Sequence, residues 1–195
     1  MKVRLELDFI EILRKRKRWN LYMILATDDP SDKDKTLISV IPSEPIKLRK
    51  MDDNRIDFEA DGDGDTNGLI LLEKNMPKHN SVRVRMWVVQ SRETTRNTGE
   101  VMKHITRVFK KDNVNKSIET LTSALGVTNP WLKLPETLLS INGLIGSVLK
   151  ELKDRKLGFV NMDESFTDEE INMFELDRTG KITSVGKCGW SWSIK

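Results

Sequence analysis

The 195-residue chain contains one cysteine, Cys188, and two histidines, His79 and His104. A single cysteine excludes an intrachain disulfide and fits a reducing compartment. Neither histidine has a nucleophile or carboxylate at a spacing typical of a catalytic site. The sequence also lacks a phosphate-binding P-loop, a dinucleotide glycine fingerprint and a paired-histidine zinc motif. These absences predict a protein that is not an enzyme.

Long apolar segments and a strong charge imbalance are also missing. No apolar run approaches the roughly 20 residues of a membrane-spanning helix, and the N-terminus has charges where a signal peptide has its apolar core. We therefore expect a cytoplasmic protein, or one exported by a route without an N-terminal signature. Lys plus Arg number 33 against 30 for Asp plus Glu. Because phosphate binding needs a concentrated basic face, this small excess argues against nucleic acid as a partner.

Apolar residues in the first half of the chain follow the two-residue period of β-strands. In residues 3–9 apolar and charged residues alternate, which places Val3, Leu5, Leu7 and Phe9 on one face. Residues 21–26 form a nearly continuous apolar run, typical of a strand buried on both faces. Further strands are predicted at residues 37–41, 46–48, 55–59, 69–72 and 82–89. These short strands, separated by turn residues, indicate an antiparallel sandwich or open barrel.

The apolar spacing becomes helical near residue 99. Two helices are predicted by residues spaced three or four apart, which are Val101, Ile105, Val108 and Phe109, then Ile118, Leu121 and Leu125. Pro135 begins a third predicted helix, which runs to about residue 156. Strand signals return at residues 158–162, 173–176 and 181–185, the last two joined by a turn at 177–180.

Together these patterns predict a mainly β protein with α-helices. Residues 1–98 form part of an antiparallel β-sandwich, and residues 99–156 form a helical insertion of about three helices. Residues 157–195 supply C-terminal strands that complete the sandwich. In the last of them Cys188, Trp190 and Trp192 share one face.

Residues 57–68, which read DFEADGDGDTNG, concentrate acidic residues and glycines. Carboxylates at alternate positions repel one another unless a cation or water lies among them. Calcium takes six to eight oxygen ligands, which short side chains on a glycine-containing loop can supply. From Asp63 the segment resembles the calcium loop of the EF-hand family, with Asp63, Asp65 and Asn67 at its first, third and fifth places and Gly68 at its sixth.

This resemblance implies a further ligand, the backbone carbonyl of Leu69. It departs from the family at the twelfth place, where Lys74 stands instead of a bidentate glutamate, and its flanks have strand patterns. It therefore implies a calcium loop and not an EF-hand fold. The sequence predicts a weak Ca²⁺ site, with affinity reaching about 10⁻⁴ to 10⁻³ M, at Asp61, Asp63, Asp65, Asn67 and Leu69. A hairpin turn with solvated aspartates is the alternative.

A second acidic cluster, at residues 28–34, follows the apolar run of residues 21–26. If residues 37–48 form one bent strand, this cluster lies at the same end of the sandwich as the first, so Asp28 and Asp32 are candidate additional ligands. Two acidic loops at one end resemble the architecture of the calcium-dependent membrane-targeting β-sandwich modules of signalling proteins. A solvated loop compensated by Lys33 and Lys35 is the alternative.

The densest run of charge follows the first predicted strand and comprises Arg14, Lys15, Arg16, Lys17 and Arg18. Such a cluster can bind anionic lipid at about 1 kcal/mol per residue, or an acidic partner. The alternative is a solvated loop, or a charged edge that opposes aggregation.

We therefore predict a non-enzymatic, calcium-binding β-sandwich module that binds a membrane surface or a protein partner. The alternative function is a structural subunit of a larger protein assembly with at most a structural metal ion. The sequence does not predict the oligomeric state.

Overall fold

The structure, a computed structural model, describes residues 1–13, 18–29, 32–49, 54–58, 68–93, 96–112, 117–121, 130–172, 175–183 and 185–195. Its strands are β1 (Lys2–Ile12), β2 (Arg18–Asp29), β3 (Asp32–Arg49), β4 (Arg55–Asp57), β5 (Leu69–Asn75), β6 (Ser81–Val82), β7 (Val84–Gln90), β8 (Glu119–Leu121), β9 (Trp131–Leu134), β10 (Arg155–Asn161), β11 (Glu164–Ser165), β12 (Glu175–Ile182) and β13 (Gly186–Ile194). The helices are α1 (Thr98–Asp112) and α2 (Ile141–Leu152), and one 3₁₀ turn spans Glu170–Asn172. The prediction of a mainly β protein is confirmed.

The strands form two large antiparallel sheets and one small one. Sheet A has the order β12-β13-β1-β4, with β5 also paired to β1. Sheet B has the order β10-β7-β2-β3-β9-β8, and β6 pairs with β11 separately. On the side of β1 away from β13, β5 pairs with its first half and β4 with its second half.

The two large sheets share an apolar core, which gives a sandwich-like layout. Leu5 of β1 and Trp192 of β13 contribute from sheet A, and Leu21 of β2 and Met86 of β7 contribute from sheet B. All four side chains have no exposed surface. The buried cluster also contains Cys188, which confirms the face predicted for the last strand.

The opposite face of sheet B is covered by the two helices. Tyr22 and Ile24 of β2 and Trp87 of β7 pack in one cluster with Ile105 of α1 and Val148 of α2. The strand β2 is therefore buried on both faces, as its apolar run predicts.

The prediction of about three helices is wrong, because the described residues contain two. Leu121 was predicted to lie in the second helix, but it ends the strand β8 and pairs with Trp131 of β9. Only three apolar residues predicted the second helix, and backbone pairing to the edge of sheet B outweighs such a weak local preference. The last helix begins at Ile141, six positions after the predicted start at Pro135.

Two local irregularities also differ from the predicted pattern. A bulge in β1 between Leu7 and Phe9 shifts the alternation, so that Ile10 becomes fully buried and Phe9 only half-buried. The predicted turn at residues 177–180 lies inside β12. Gly180 is there because a Cβ would come within 2.7 Å of Cη2 of Trp190.

Neither helix in the described part of the chain has the length and apolarity that crossing a bilayer requires.

Candidate functional site

The flanks of the acidic segment are held on one strand. Asp61, Asp63, Asp65 and Asn67 themselves lie outside the described residues, as does the rest of residues 59–67. Before the segment, Asp57 of β4 pairs with Phe9, and after it Leu69 of β5 pairs with Leu7. The two flanks therefore meet β1 on either side of Asp8.

Asp8 is a carboxylate between these flanks that the sequence patterns did not identify. The backbone N–H of Phe58 donates to the Asp8 carbonyl oxygen at 2.8 Å, and Ser191 Oγ donates to Asp8 Oδ1 at 3.0 Å. The same Oδ1 lies 3.2 Å from the position that a Cβ on Gly68 would take. Strict alternation assigned Asp8 to the solvated face among other charged residues, and the bulge that sets it apart has no signal in the sequence.

Gly68 approaches β1 so closely that a larger residue would clash. A Cβ at this position would lie 2.6 Å from the Leu7 carbonyl oxygen. The EF-hand resemblance places this glycine at the sixth position of a calcium loop. The described backbone adds a physical reason for glycine here, which is close packing of two strands at the base of the acidic segment.

The structure does not bring Asp28 to this base. Asp28 lies near the end of β2, where Lys74 Nζ is 3.5 Å from its carbonyl oxygen. Lys74 and Leu69 lie near opposite ends of β5, a separation of roughly 15 Å at about 3.3 Å per residue. Asp32 begins β3, opposite Asp29. Asp28 and the described flank of the acidic segment at Leu69 therefore lie near opposite ends of β5, while Asp61, Asp63, Asp65 and Asn67 lie outside the described residues.

Asp28 instead lines a polar cavity between the two sheets. The cavity has a volume of about 350 Å³ and is lined by Asp28, Asp29, Lys74, Pro77, His79, Ser81 and Arg83. Arg83 Nε donates to Asp28 Oδ2 at 2.6 Å, and Lys133 Nζ lies 2.7 Å from Asp29 Oδ2. Both carboxylates are therefore neutralised by basic side chains of the protein.

Lys74, which replaces the glutamate of the EF-hand pattern, is a buried cation in this cavity. The residue is 5% exposed. Burial lowers the pKa of Lys74 to about 8, against the opposing effect of the Asp28 and Asp29 carboxylates. No sequence pattern indicated this burial, because a lysine at the end of a strand is usually solvated.

A second buried charged cluster joins sheet B to the helical layer. The Asp154 carboxylate, fully buried, lies 3.2 Å from Arg96 Nε and accepts hydrogen bonds from the Tyr22 hydroxyl at 3.0 Å and from the Arg92 backbone N–H at 2.9 Å. Arg96 also donates to the carbonyl oxygen of Leu152, at the end of α2. Burial next to Asp154 raises the pKa of Tyr22. These contacts tie three elements together, which is a structural role.

The basic run is described at Arg18 alone, since residues 14–17 lie outside the described residues. Arg18 is exposed at the start of β2. Leu13, just before the run, is 65% exposed, and its backbone N–H donates to the Val185 carbonyl oxygen at 2.8 Å. An apolar side chain therefore projects into solvent at the start of the basic run.

Two further basic side chains lie at this end of sheet A. Lys187 is 52% exposed and lies 3.0 Å from Glu11. Arg55 is 41% exposed and lies 4.0 Å from the same carboxylate and 2.6 Å from Asp57. The described surface around Leu13 thus carries both charge signs, and its excess of positive charge depends on the basic run itself.

Within the described ranges, no group of three or more His, Cys, Asp or Glu side chains is arranged to hold a metal ion. No protein-family model, curated protein or solved structure matches the chain.

Proposed function

We propose that this chain is a non-enzymatic, calcium-binding β-sandwich module that docks on an anionic membrane surface. The observation that supports calcium binding is the attachment of both flanks of the acidic segment to β1 around Asp8. A segment whose ends are already fixed loses less conformational entropy when an ion orders it.

The charge of the segment supports the same ion. Residues 57–65 contain five acidic residues, which are Asp57, Glu59, Asp61, Asp63 and Asp65. Arg55 offsets Asp57 at 2.6 Å, and Asp8 adds a carboxylate at the base. A divalent cation bound by Asp61, Asp63, Asp65, Asn67 and the Leu69 carbonyl oxygen would relieve the remaining repulsion with the hard oxygen ligands that calcium prefers. Asp28, which is paired with Arg83, and Asp32 do not belong to the proposed set.

Calcium at 10 mM is expected to raise the melting temperature of the wild-type protein by at least about 3 °C. A site of about 10⁻³ M affinity is then occupied tenfold above its dissociation constant, which stabilises the fold by roughly 1.4 kcal/mol. A chain of this size gains about 2–4 °C per kcal/mol. The measurements are calorimetric titration and thermal unfolding with and without calcium.

The variant that tests the site is Asp63→Asn with Asp65→Asn, which should lose both the binding heat and the temperature shift. A matched control removes two exposed carboxylates elsewhere, Asp177→Asn with Glu169→Gln, and should keep both. Wild-type protein that gives no heat and no shift at 10 mM calcium rules out the metal site.

The proposal that the module docks on an anionic membrane rests on the exposed Leu13 beside the basic run. An apolar side chain that enters the interface, flanked by Lys and Arg on anionic headgroups, is a common geometry of peripheral membrane binding. Calcium on the acidic segment would also reduce the repulsion between that segment and an anionic surface.

Neutralising three residues of the basic run, Arg14→Gln, Arg16→Gln and Arg18→Gln, is expected to weaken binding to phosphatidylserine vesicles about 100-fold. Each cation near such a surface contributes about 1 kcal/mol, and about 1.4 kcal/mol corresponds to tenfold in affinity. Vesicle sedimentation in the presence of calcium measures the effect.

The control for this experiment removes three exposed lysines from the helical layer, Lys103→Gln, Lys110→Gln and Lys150→Gln. It should bind vesicles within a few-fold of the wild-type protein. Wild-type protein that fails to sediment with anionic vesicles contradicts the docking half and would favour a protein partner for the same basic run.

A further inference from the structure

The cavity between the sheets contains a cation, Lys74, whose hydrogen bonds among the described residues are to neutral oxygens and not to a carboxylate. In the described part of the chain, Lys74 Nζ has two contacts with neutral acceptors, Thr27 Oγ1 at 3.3 Å and the Asp28 carbonyl oxygen at 3.5 Å. Both contacts are long for hydrogen bonds of a charged donor. An ammonium group has three N–H donors, so at least one remains for an occupant of the cavity.

The two carboxylates next to Lys74 are already paired with other basic side chains. Asp28 is bound by Arg83 at 2.6 Å and Asp29 by Lys133 at 2.7 Å. Burial lowers the pKa of Lys74, and these two carboxylates oppose that shift only through charge attraction, without a hydrogen bond to its ammonium among the described residues. Burying a cation without a directly bonded anion is unfavourable, and an oxyanion beside Lys74 would supply one.

We propose that this cavity is a binding site for a small oxyanion, a carboxylate or a phosphate group, held by the Lys74 ammonium with His79 and Ser81 on the cavity wall. The volume of about 350 Å³ is at the lower end of the range for small-molecule sites. The ligand is therefore a small anionic molecule and not a polymer. This site is separate from the acidic segment and does not depend on calcium binding.

The protonation of Lys74 sets the pH range of binding. Its pKa of about 8 keeps the side chain mainly protonated at pH 7, so that it acts as a cation. Binding should weaken as pH rises through about 8, because the neutral amine no longer attracts an anion. The other charged or titratable groups facing the ligand are Asp28, Asp29, His79 and Arg83. Behind them, Lys133 lies against Asp29 and 4.0 Å from Glu119, and the Asp163 carboxyl is within electrostatic reach of Asp28 and Arg83.

The test is calorimetric titration of the full chain with acetate, inorganic phosphate and sulfate at pH 6.5, against chloride at matched ionic strength. We expect at least one oxyanion to bind with a dissociation constant of about 1 mM or tighter. Lys74→Met, which keeps the length of the buried side chain, should weaken binding at least tenfold. Lys78→Met, at an exposed lysine in the adjacent turn, should change it less than twofold.

A second measurement uses the wild-type protein alone and does not depend on the folding of a variant. The affinity for sulfate, whose charge is constant between pH 6 and 9, should fall several-fold from pH 7 to pH 9. His79→Asn should keep this fall, which would assign it to Lys74 and not to the imidazole. The proposal is overturned if no oxyanion binds at 20 mM, or if Lys74→Met binds as well as the wild-type protein.

Discussion

Replacing Asp154 with alanine is expected to lower the free energy of unfolding by about 3–5 kcal/mol. The Asp154 carboxylate is fully buried and lies 3.2 Å from Arg96, whose own side chain is 6% exposed. Removing the carboxylate leaves the guanidinium with only the exposed carboxylates of Glu93, at 3.2 Å, and Glu100 as ion-pair partners among the described residues. It also leaves the Tyr22 hydroxyl and the Arg92 N–H without their acceptor. An unpaired charge in a low-dielectric environment costs much more than the pair contributed.

Urea denaturation measures this loss, and two further variants assign it. Glu100 is 47% exposed and lies 3.7 Å from Arg96; Glu100→Ala should change stability by less than about 0.5 kcal/mol, since exposed ion pairs contribute little. Tyr22→Phe should cost about 1 kcal/mol, the value of one hydrogen bond. A loss below 1 kcal/mol in Asp154→Ala would show that Arg96 reaches water when its partner is removed.

Replacing Lys74 with methionine is expected to raise the free energy of unfolding at pH 7 by about 1–3 kcal/mol. Burial lowers the pKa of Lys74 from 10.5 to about 8. Protonation of this side chain is therefore less favourable in the folded state than in the unfolded state. Below pH 8 this penalty is fully present. Between pH 8 and 10.5 the unfolded state binds more protons than the folded state, and the contribution of Lys74 to stability therefore rises with pH.

The difference in stability between Lys74→Met and the wild-type protein should thus shrink as pH rises from 8 to 10.5. Chemical denaturation at half-unit pH intervals, in buffer without oxyanions, follows this difference. Lys78→Met serves as the control, and its difference from the wild-type protein should stay constant over the same range. If Lys74→Met instead lowers stability at pH 7, the two neutral oxygen contacts of Lys74 outweigh its desolvation.

The elements that the sequence predicted well are those whose local pattern and packing agree. Val3, Leu5 and Leu7 alternate with charged residues and are buried, and residues 21–26 are apolar on both faces because β2 lies between two cores. The bulge after Leu7 was not predictable, because it lies where β1 changes its pairing partner from β5 to β4. Leu121 was misassigned for a similar reason, since the edge of sheet B selects its conformation.

The candidate site was predictable in composition but not in arrangement. An acidic, glycine-containing segment is visible in the sequence. Asp8 belongs to its base through pairing of β1 with β4 and β5, as in Phe9 with Asp57 and Leu7 with Leu69, which are 48 and 62 positions apart. Likewise, the sequence showed Lys74 only as a departure from the EF-hand calcium loop, at the position where that family has a glutamate. Its role as a buried cation depends on the ends of β2 and β5 meeting across the two sheets, which no local pattern encodes.

The position of β13 in sheet A has a consequence for synthesis of the chain. This strand separates β1 from β12, and a hydrogen bond between Ser191 and Asp8 spans 183 positions. During translation, β1 therefore leaves the ribosome long before its principal neighbour exists, and contacts of such sequence separation form slowly. An alternating apolar strand with one edge still unpaired promotes association between nascent chains. Expression at low temperature or with a chaperone that shields the N-terminal segment should improve the yield of folded protein.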